Sequence, residues 1–120
     1  MASVIGIGGI FVKSTDADAL RAWYRDMLGL DVQDWGGAQL HATPGPSYAV
    51  WSAFRAESAY FAPSAREFMI NLRVDDLDGL LAQLRARGAH VLERREDSAD
   101  GKFGYVVDPD GTLLELWQPG

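Results

Sequence analysis

The sequence predicts an α+β fold of two βαβββ modules, in which eight strands form a cup-shaped, mostly antiparallel sheet with one helix per module. The first observation is a weak internal repeat, because a shift of 60 residues aligns Asp16 with Asp76 and Leu20 with Leu80. The second is that each half opens with a strand-like run followed by an amphipathic helical stripe. The third is that further short apolar runs, separated by turn residues, follow each predicted helix.

The first module is predicted to cover about residues 3–56. Residues 10–12 favour a strand, and the helix that follows has apolar residues at i, i+3, i+4, i+7 and i+8, namely Leu20, Trp23, Tyr24, Met27 and Leu28. Thr15 is the expected N-cap and Gly29 the left-handed residue that ends the helix. Three short strands are predicted next, at residues 32–35, 39–42 and 48–54.

The second module repeats this order over about residues 67–118. A strand is predicted at 68–74, and the helical stripe that follows ends at Gly88 and consists of Leu77, Leu80, Leu81 and Leu84. The remaining strands are expected near 90–94, 103–107 and 112–118. Residues 57–66, which include Pro63, form the predicted linker, so the whole chain of 120 residues is read as one domain.

Composition excludes several classes of function. The net charge of −6 argues against a nucleic-acid partner, since phosphate binding needs clustered Lys and Arg. The chain has no cysteine, which excludes disulfides and thiolate chemistry. It shows neither a basic leader nor an apolar run of membrane-spanning length, so a cytoplasmic protein with no membrane partner is the expectation.

Strand alternation predicts which side chains face the open side of the sheet. In 68–74 the apolar set Ile70, Leu72 and Val74 should pack on the helices, so Met69, Asn71 and Arg73 should face the cup. The 60-residue shift places Gly9, Phe11 and Lys13 at the corresponding positions of the first module. The uncovered concave face is the expected ligand site.

Two motifs carry a resemblance to a known superfamily. Residues 23–30 (WYRDMLGL) close the first helix, and residues 108–116 (DPDGTLLEL) precede the end of the chain. Together with the βαβββ repeat, they make the chain resemble the vicinal oxygen chelate superfamily, which contains glyoxalase I, bleomycin-resistance proteins and extradiol dioxygenases. The resemblance covers essentially the whole chain and is strongest to small glyoxalase-like members. It also implies a homodimer.

The same resemblance implies a metal site that this chain does not complete. Metalloenzymes of the superfamily take ligands from the first and last strands of each module, and Glu115 matches the ligand of the final strand. Gly9 and Met69 stand where histidines are expected, and residues 51–55 offer no good ligand. No cofactor is therefore predicted, and a divalent metal is disfavoured.

The polar candidates are Glu115, His41, Asn71 and Arg73. Glu115 lies within an apolar run, where a carboxylate is costly to bury, and it is a candidate acid–base group or hydrogen-bond acceptor. His41 is either a strand histidine or a general base. Asn71 and Arg73 are candidate ligand contacts, although Arg73 alternatively pairs with Glu115 across the cup.

Aromatic side chains supply the apolar candidates. Phe11, Trp51, Tyr105 and Trp117 are expected to line the ligand pocket, although most aromatic residues of such a chain belong to the core. Residues 60–63 of the linker either cover the pocket or take part in a dimer interface.

Three functions remain open. The favoured one is metal-free binding or sequestration of a small, partly apolar molecule, as in bleomycin-resistance proteins. The alternative is a lyase, isomerase or dioxygenase of the same superfamily that uses Glu115 with a metal or as an acid–base group. The third is an interaction module, for which a cup filled by side chains would argue.

Overall fold

The structure is a computed structural model that describes residues 10–41 and 49–120. Within these ranges the chain forms two helices and five strands. In chain order they are α1 (Ala17–Leu28), β1 (Ile70–Arg73), α2 (Leu77–Ala86), β2 (His90–Val91), β3 (Glu96–Ser98), β4 (Gly101–Val107) and β5 (Leu113–Pro119).

Both predicted helices form, each with a carboxylate at its N-terminus. Asp16, rather than the expected Thr15, caps α1, and its side chain accepts a hydrogen bond from the Ala19 amide at 3.0 Å. Asp76 caps α2 by accepting from the Gly79 amide. Gly29 ends α1 with a φ of 71°, as predicted. No helix in the described part of the chain is long and apolar enough to cross a membrane.

The five strands form one mixed sheet in the order β1–β5–β4–β2, and β3 also pairs with β4. β1 runs parallel to β5, and the other pairs are antiparallel. β3 was not predicted, because its residues are all exposed and belong to a charged run that resembles a solvated surface. β2 covers only the start of the predicted strand at 90–94.

The core lies between α2 and one face of this sheet. Its buried members are Leu77, Leu81, Leu84, Val106, Leu114 and Leu116. Ile70, Leu72 and Val74 pack against this cluster, which confirms the predicted side-chain alternation of β1. Apolar residues of α1, among them Trp23 and Met27, pack against it as well. The opposite face of the sheet is therefore left for the site.

The turn between β4 and β5 is held by one side chain. Asp108 Oδ1 accepts from the amides of Asp110 and Thr112 at 2.9 and 3.0 Å. Its Oδ2 accepts from the hydroxyl of Tyr24 at 2.8 Å. Gly111 has a φ of 84°, as expected for this turn. The turn thus fixes the start of β5 and ties it to α1.

The predicted strands of the first module are not formed in the described residues. Residues 10–12, 32–35, 39–41 and 49–54 are irregular or in turns, and residue 42 and the start of the 48–54 prediction lie outside the described ranges. An extended segment becomes a strand only when a neighbouring backbone supplies hydrogen bonds. In the described chain β1 lies at the sheet edge and pairs with β5 alone. The structure therefore has a five-stranded open sheet, and the predicted eight-stranded cup is not confirmed.

Candidate functional site

Strand register places the candidate side chains in two rows across the free face of the sheet. Asn71 in β1 and Tyr105 in β4 both pair with Glu115 in β5, and these three form the first row. Two residues further along, Arg73 and Phe103 both pair with Trp117 and form the second row. Alternation directs both rows away from α2.

Glu115 is buried, with 7% of its surface exposed, and its carboxyl group has two hydrogen-bond donors. Oε1 accepts from Asn71 Nδ2 at 2.8 Å, and Oε2 accepts from the Tyr60 hydroxyl at 2.5 Å. Both donors are neutral side chains. These bonds offset the cost of placing a carboxylate in an apolar strand.

Tyr60 comes from the predicted linker and lies over the first row. Its hydroxyl is 2.8 Å from the Tyr105 hydroxyl as well as 2.5 Å from Glu115. A carboxylate only accepts, so the Tyr60 proton points to Glu115 and Tyr105 donates to Tyr60. The result is a chain of hydrogen bonds from Tyr105 through Tyr60 to Glu115.

Tyr60 and Tyr105, the two phenols in this series of hydrogen bonds, are held in the neutral form. Burial, followed by hydrogen bonding to Glu115 and to Tyr105, raises the pKa of Tyr60 well above its usual range. Burial likewise raises the pKa of Tyr105 to about 12. At neutral pH the two hydroxyl groups therefore act as hydrogen-bond donors.

Arg94 supplies a positive charge beside the two phenol rings. Its guanidinium carbon lies 3.8 Å from the ring centre of Tyr105 and 4.6 Å from that of Tyr60. Nη2 donates to the Tyr60 carbonyl at 3.1 Å. Nε is buried and has no hydrogen-bond partner in the described part of the chain. Arg94 therefore stacks on both phenol rings and holds the linker backbone over the site.

The second row is aromatic. The rings of Trp117 and Phe103 are parallel, with centres 6.0 Å apart, and Trp117 Nε1 donates to the Asp100 carbonyl at 2.9 Å. Only 6% of the Trp117 surface is exposed. Together the two rings form an apolar floor beside the polar row.

A wide cleft borders both rows. Its volume is about 2180 Å³, and its lining includes Glu115, Trp117, Tyr60 and much of the first module. Pockets for small ligands occupy roughly 300–1,000 Å³. The cleft is larger than this range, so its volume does not define the size of one ligand.

The structure gathers only some of the predicted site residues. Asn71, Tyr105, Glu115 and Trp117 share the free face, and Arg73 continues the second row at the sheet edge. Phe11, His41 and Trp51 lie in the first module and border the wide cleft. Phe11 and Trp51 are 94% and 82% exposed. His41 is also exposed.

Sequence reasoning did not assign a site role to Arg94. It lies in a run of alternating charges that is typical of a solvated face, and no local pattern separates it from Arg95. The sequence predicts for Tyr60 only that its segment, residues 60–63, covers the pocket or forms an interface. Its pairing with Glu115 depends on the path of the linker, which no strand or helix pattern encodes.

The donors around Glu115 do not fit a divalent metal ion. The described residues contain no group of three or more His, Asp or Glu side chains that could hold one. Met69 is described and offers a thioether, whereas Gly9 lies outside the described ranges. The neighbours of Glu115 are an amide and a phenol, both of which donate to it. The expectation of no cofactor stays a prediction.

Known structures share this fold. TnmS3, an antibiotic-binding protein from Streptomyces sp. CB03234, matches with a TM-score of 0.64 and 22% identity over 100% of both chains. A glyoxalase/bleomycin resistance protein/dioxygenase from Nocardioides matches with a TM-score of 0.58 and 22% identity, over 100% of this chain and 88% of the other. Lactoylglutathione lyase from Agrobacterium tumefaciens matches with a TM-score of 0.55 and 19% identity, over 93% and 94% of the two chains.

The sequence itself matches a family model. No curated protein shows significant similarity to the chain. The model of the glyoxalase-like domain, however, matches residues 9–117, nearly the whole chain. This match and the shared fold agree with the motifs at residues 23–30 and 108–116. The chain therefore belongs to the glyoxalase-like domain family of the vicinal oxygen chelate superfamily.

Proposed function

We propose that this chain binds a small, partly apolar organic molecule on the free face of its sheet, without a metal ion and without turning it over. The observation that carries the proposal is the arrangement of the two rows. A polar row centred on Glu115 lies beside the stacked rings of Trp117 and Phe103. An apolar floor with a few fixed polar groups is the usual composition of a ligand site.

The comparisons support the same class of function. One structure with this fold is an antibiotic-binding protein, and others are glyoxalase/bleomycin resistance proteins. Because the sequence identities are low, the similarity supports a shared fold and does not identify the ligand. The choice of a binding role over catalysis rests on the neutral donors that occupy both oxygens of Glu115.

Calorimetric titration of the purified chain with 2-naphthol and 2-methoxynaphthalene tests this proposal. We expect at least one of these probes to bind the wild type at one molecule per chain. Trp117→Leu should weaken binding because it removes the apolar floor. Trp23→Leu is the matched control, since Trp23 packs against the core on the other face of the sheet. Failure of both probes to bind, or equal weakening by the two variants, would overturn the proposal.

A second candidate is acid–base catalysis by Glu115. The observation in its favour is the hydrogen-bond chain from Tyr105 through Tyr60 to Glu115, which is suited to moving a proton. Its test is deuterium exchange at the carbon next to the carbonyl of hydroxyacetone, followed by NMR in heavy water. Exchange that Glu115→Gln abolishes and chelators leave intact would establish this candidate. No exchange above the rate in buffer would exclude it for this substrate.

We also propose a homodimer in which the second copy covers the exposed apolar side chains of the first module. Phe11, Leu40 and Trp51 are 94%, 71% and 82% exposed and border the same cleft, and grouped exposed apolar side chains are typical of an interface. Light scattering coupled to size exclusion should give twice the chain mass. Phe11→Asp should lower it, whereas Ala82→Asp on the exposed side of α2 should not. A monomeric wild type would contradict this part of the proposal.

A further inference from the structure

The linker residue Tyr60 occupies the polar row as a bound phenol would. Its hydroxyl donates to Glu115 Oε2 at 2.5 Å and lies 2.8 Å from the Tyr105 hydroxyl, which donates to it. A phenol oxygen both donates one hydrogen bond and accepts others. Glu115 and Tyr105 therefore satisfy both functions of a single hydroxyl group.

The surroundings of the Tyr60 ring suit an aromatic ligand equally well. The Arg94 guanidinium lies 4.6 Å from the ring centre. The rings of Phe54 and Tyr105, which lie outside the segment that carries Tyr60, have centres 5.3 and 6.1 Å from it. This combination of a carboxyl acceptor, a hydroxyl donor, a stacked cation and aromatic edges recognises a hydroxyaromatic ring.

Tyr60 is a member of this group that strand pairing does not fix. Glu115, Tyr105 and Asn71 are on paired strands, where strand hydrogen bonds fix their backbones. Tyr60 lies in a segment of turns between residues 56 and 64, outside any helix or strand, and its side chain is half-buried. Moving this segment would free the Glu115 oxygen and the Tyr105 hydroxyl together.

From these contacts we propose that Tyr60 is an internal occupant of a phenol-binding subsite, and that the ligand is a hydroxyaromatic molecule whose hydroxyl replaces that of Tyr60 on Glu115. This inference rests on the proposed binding function and adds the chemical class of the ligand. Tyr60 lowers the apparent affinity of the subsite, because a ligand must displace it first.

The test compares 2-naphthol with 2-methoxynaphthalene, which has a similar ring system but no hydroxyl proton to donate. For the wild type we expect 2-naphthol to bind about tenfold more tightly, as a hydrogen bond to a carboxylate predicts. Glu115→Gln should reduce this preference. Tyr60→Ala should raise the affinity for 2-naphthol by about tenfold, because no internal phenol competes.

Two further variants keep the test decisive. Tyr60→Phe retains the ring but removes the hydroxyl that donates to Glu115 Oε2. It should therefore raise the preference for 2-naphthol over 2-methoxynaphthalene. This variant provides a test even if Tyr60→Ala fails to fold. Tyr24→Phe is the matched control, since Tyr24 also donates to a carboxylate, Asp108, but on α1. Tyr24→Phe should lower the melting temperature and leave the ratio of the affinities for 2-naphthol and 2-methoxynaphthalene unchanged.

The outcomes separate this inference from the binding function on which it rests. If neither probe binds the wild type, the binding function itself fails. If both probes bind with equal affinity, the binding function stands and the phenol subsite is wrong. If 2-naphthol is preferred but neither Tyr60 variant changes its affinity or that preference, the ligand does not replace Tyr60, and the inference is overturned.

Discussion

The Tyr60 hydroxyl lies 2.5 Å from Oε2 of Glu115, although 55 residues separate the two along the chain. This contact attaches the linker to the sheet at a buried glutamate. It also explains how a carboxylate is tolerated in a strand whose neighbours, Leu114 and Leu116, are fully buried. The stability of the chain and the composition of the site therefore depend on the same group.

Two substitutions of Glu115 should show how much its hydrogen bonds contribute to the free energy of unfolding. Glu115→Ala leaves the donors of Tyr60 and Asn71 unpaired, and we expect a loss of about 3 kcal/mol in the free energy of unfolding. Glu115→Gln keeps an acceptor for Tyr60, and the Asn71 amide can rotate to pair with the new NH₂ group. Its expected loss is about 1 kcal/mol. Urea unfolding measures both, and equal losses would contradict the assigned contacts.

Stability should fall at alkaline pH because of the buried phenols. The pKa values of Tyr24, Tyr60 and Tyr105 are all raised in the folded state, chiefly by burial. The unfolded chain therefore loses these protons first. The stabilisation is fully present below the ordinary tyrosine pKa of about 10 and is lost as pH rises through the folded values, which for Tyr105 is about 12.

Urea midpoints measured from about pH 8 to about pH 11 check this dependence. The midpoint should be flat at the lower end and should fall above about pH 10. Tyr60→Phe should make the fall shallower, because it removes one of the titrating groups. A midpoint that stays constant across the range, or the same slope in wild type and variant, would contradict the predicted pKa directions.

Most of the second module could be predicted from the sequence. Helix α2 and strands β1, β4 and β5 have strong periodic patterns, and their packing lies within the described chain. Turn chemistry located Gly29 and Gly111 correctly. The first-module segments have equally apolar patterns, but a strand also needs a neighbouring backbone, which local sequence does not specify.

The candidate site was predictable where it followed strand alternation. Asn71 and Tyr105 flank Glu115 because all three lie on adjacent strands and point to one face. Tyr60 and Arg94 reach the site from turns and irregular segments, whose paths depend on tertiary packing rather than on residue periodicity. The residues that most distinguish this site from a metal centre were thus the hardest to assign.

Chelation should leave the protein unchanged. Both oxygens of Glu115 accept hydrogen bonds from neutral donors, and an ion would have to displace Tyr60 or Asn71 to bind there. We expect the same melting temperature and the same 2-naphthol affinity before and after treatment with EDTA. Elemental analysis of the untreated protein provides the control. One bound divalent ion per chain, lost together with stability on chelation, would disprove this expectation.

Close packing of α2 on the sheet depends on the missing side chain of Gly104 in β4. A Cβ atom there would lie 3.0 Å from Leu81 Cδ1 and 3.3 Å from Leu77 Cδ1, which is tighter than normal contact. Gly104→Val should therefore destabilise the fold by about 1–3 kcal/mol through overpacking, and Gly104→Ala by less. Leu81→Ala should cost about 2–5 kcal/mol by opening a cavity.

The two substitutions should compensate each other when combined. In the double variant Gly104→Ala, Leu81→Ala, the new methyl group enters the space that the leucine vacated. The combined loss in the free energy of unfolding should be smaller than the sum of the single losses by about 0.5 kcal/mol or more. Urea unfolding of all four proteins completes the cycle. Strict additivity would mean that Gly104 and Leu81 do not share this contact, so the packing of α2 on β4 would need another explanation.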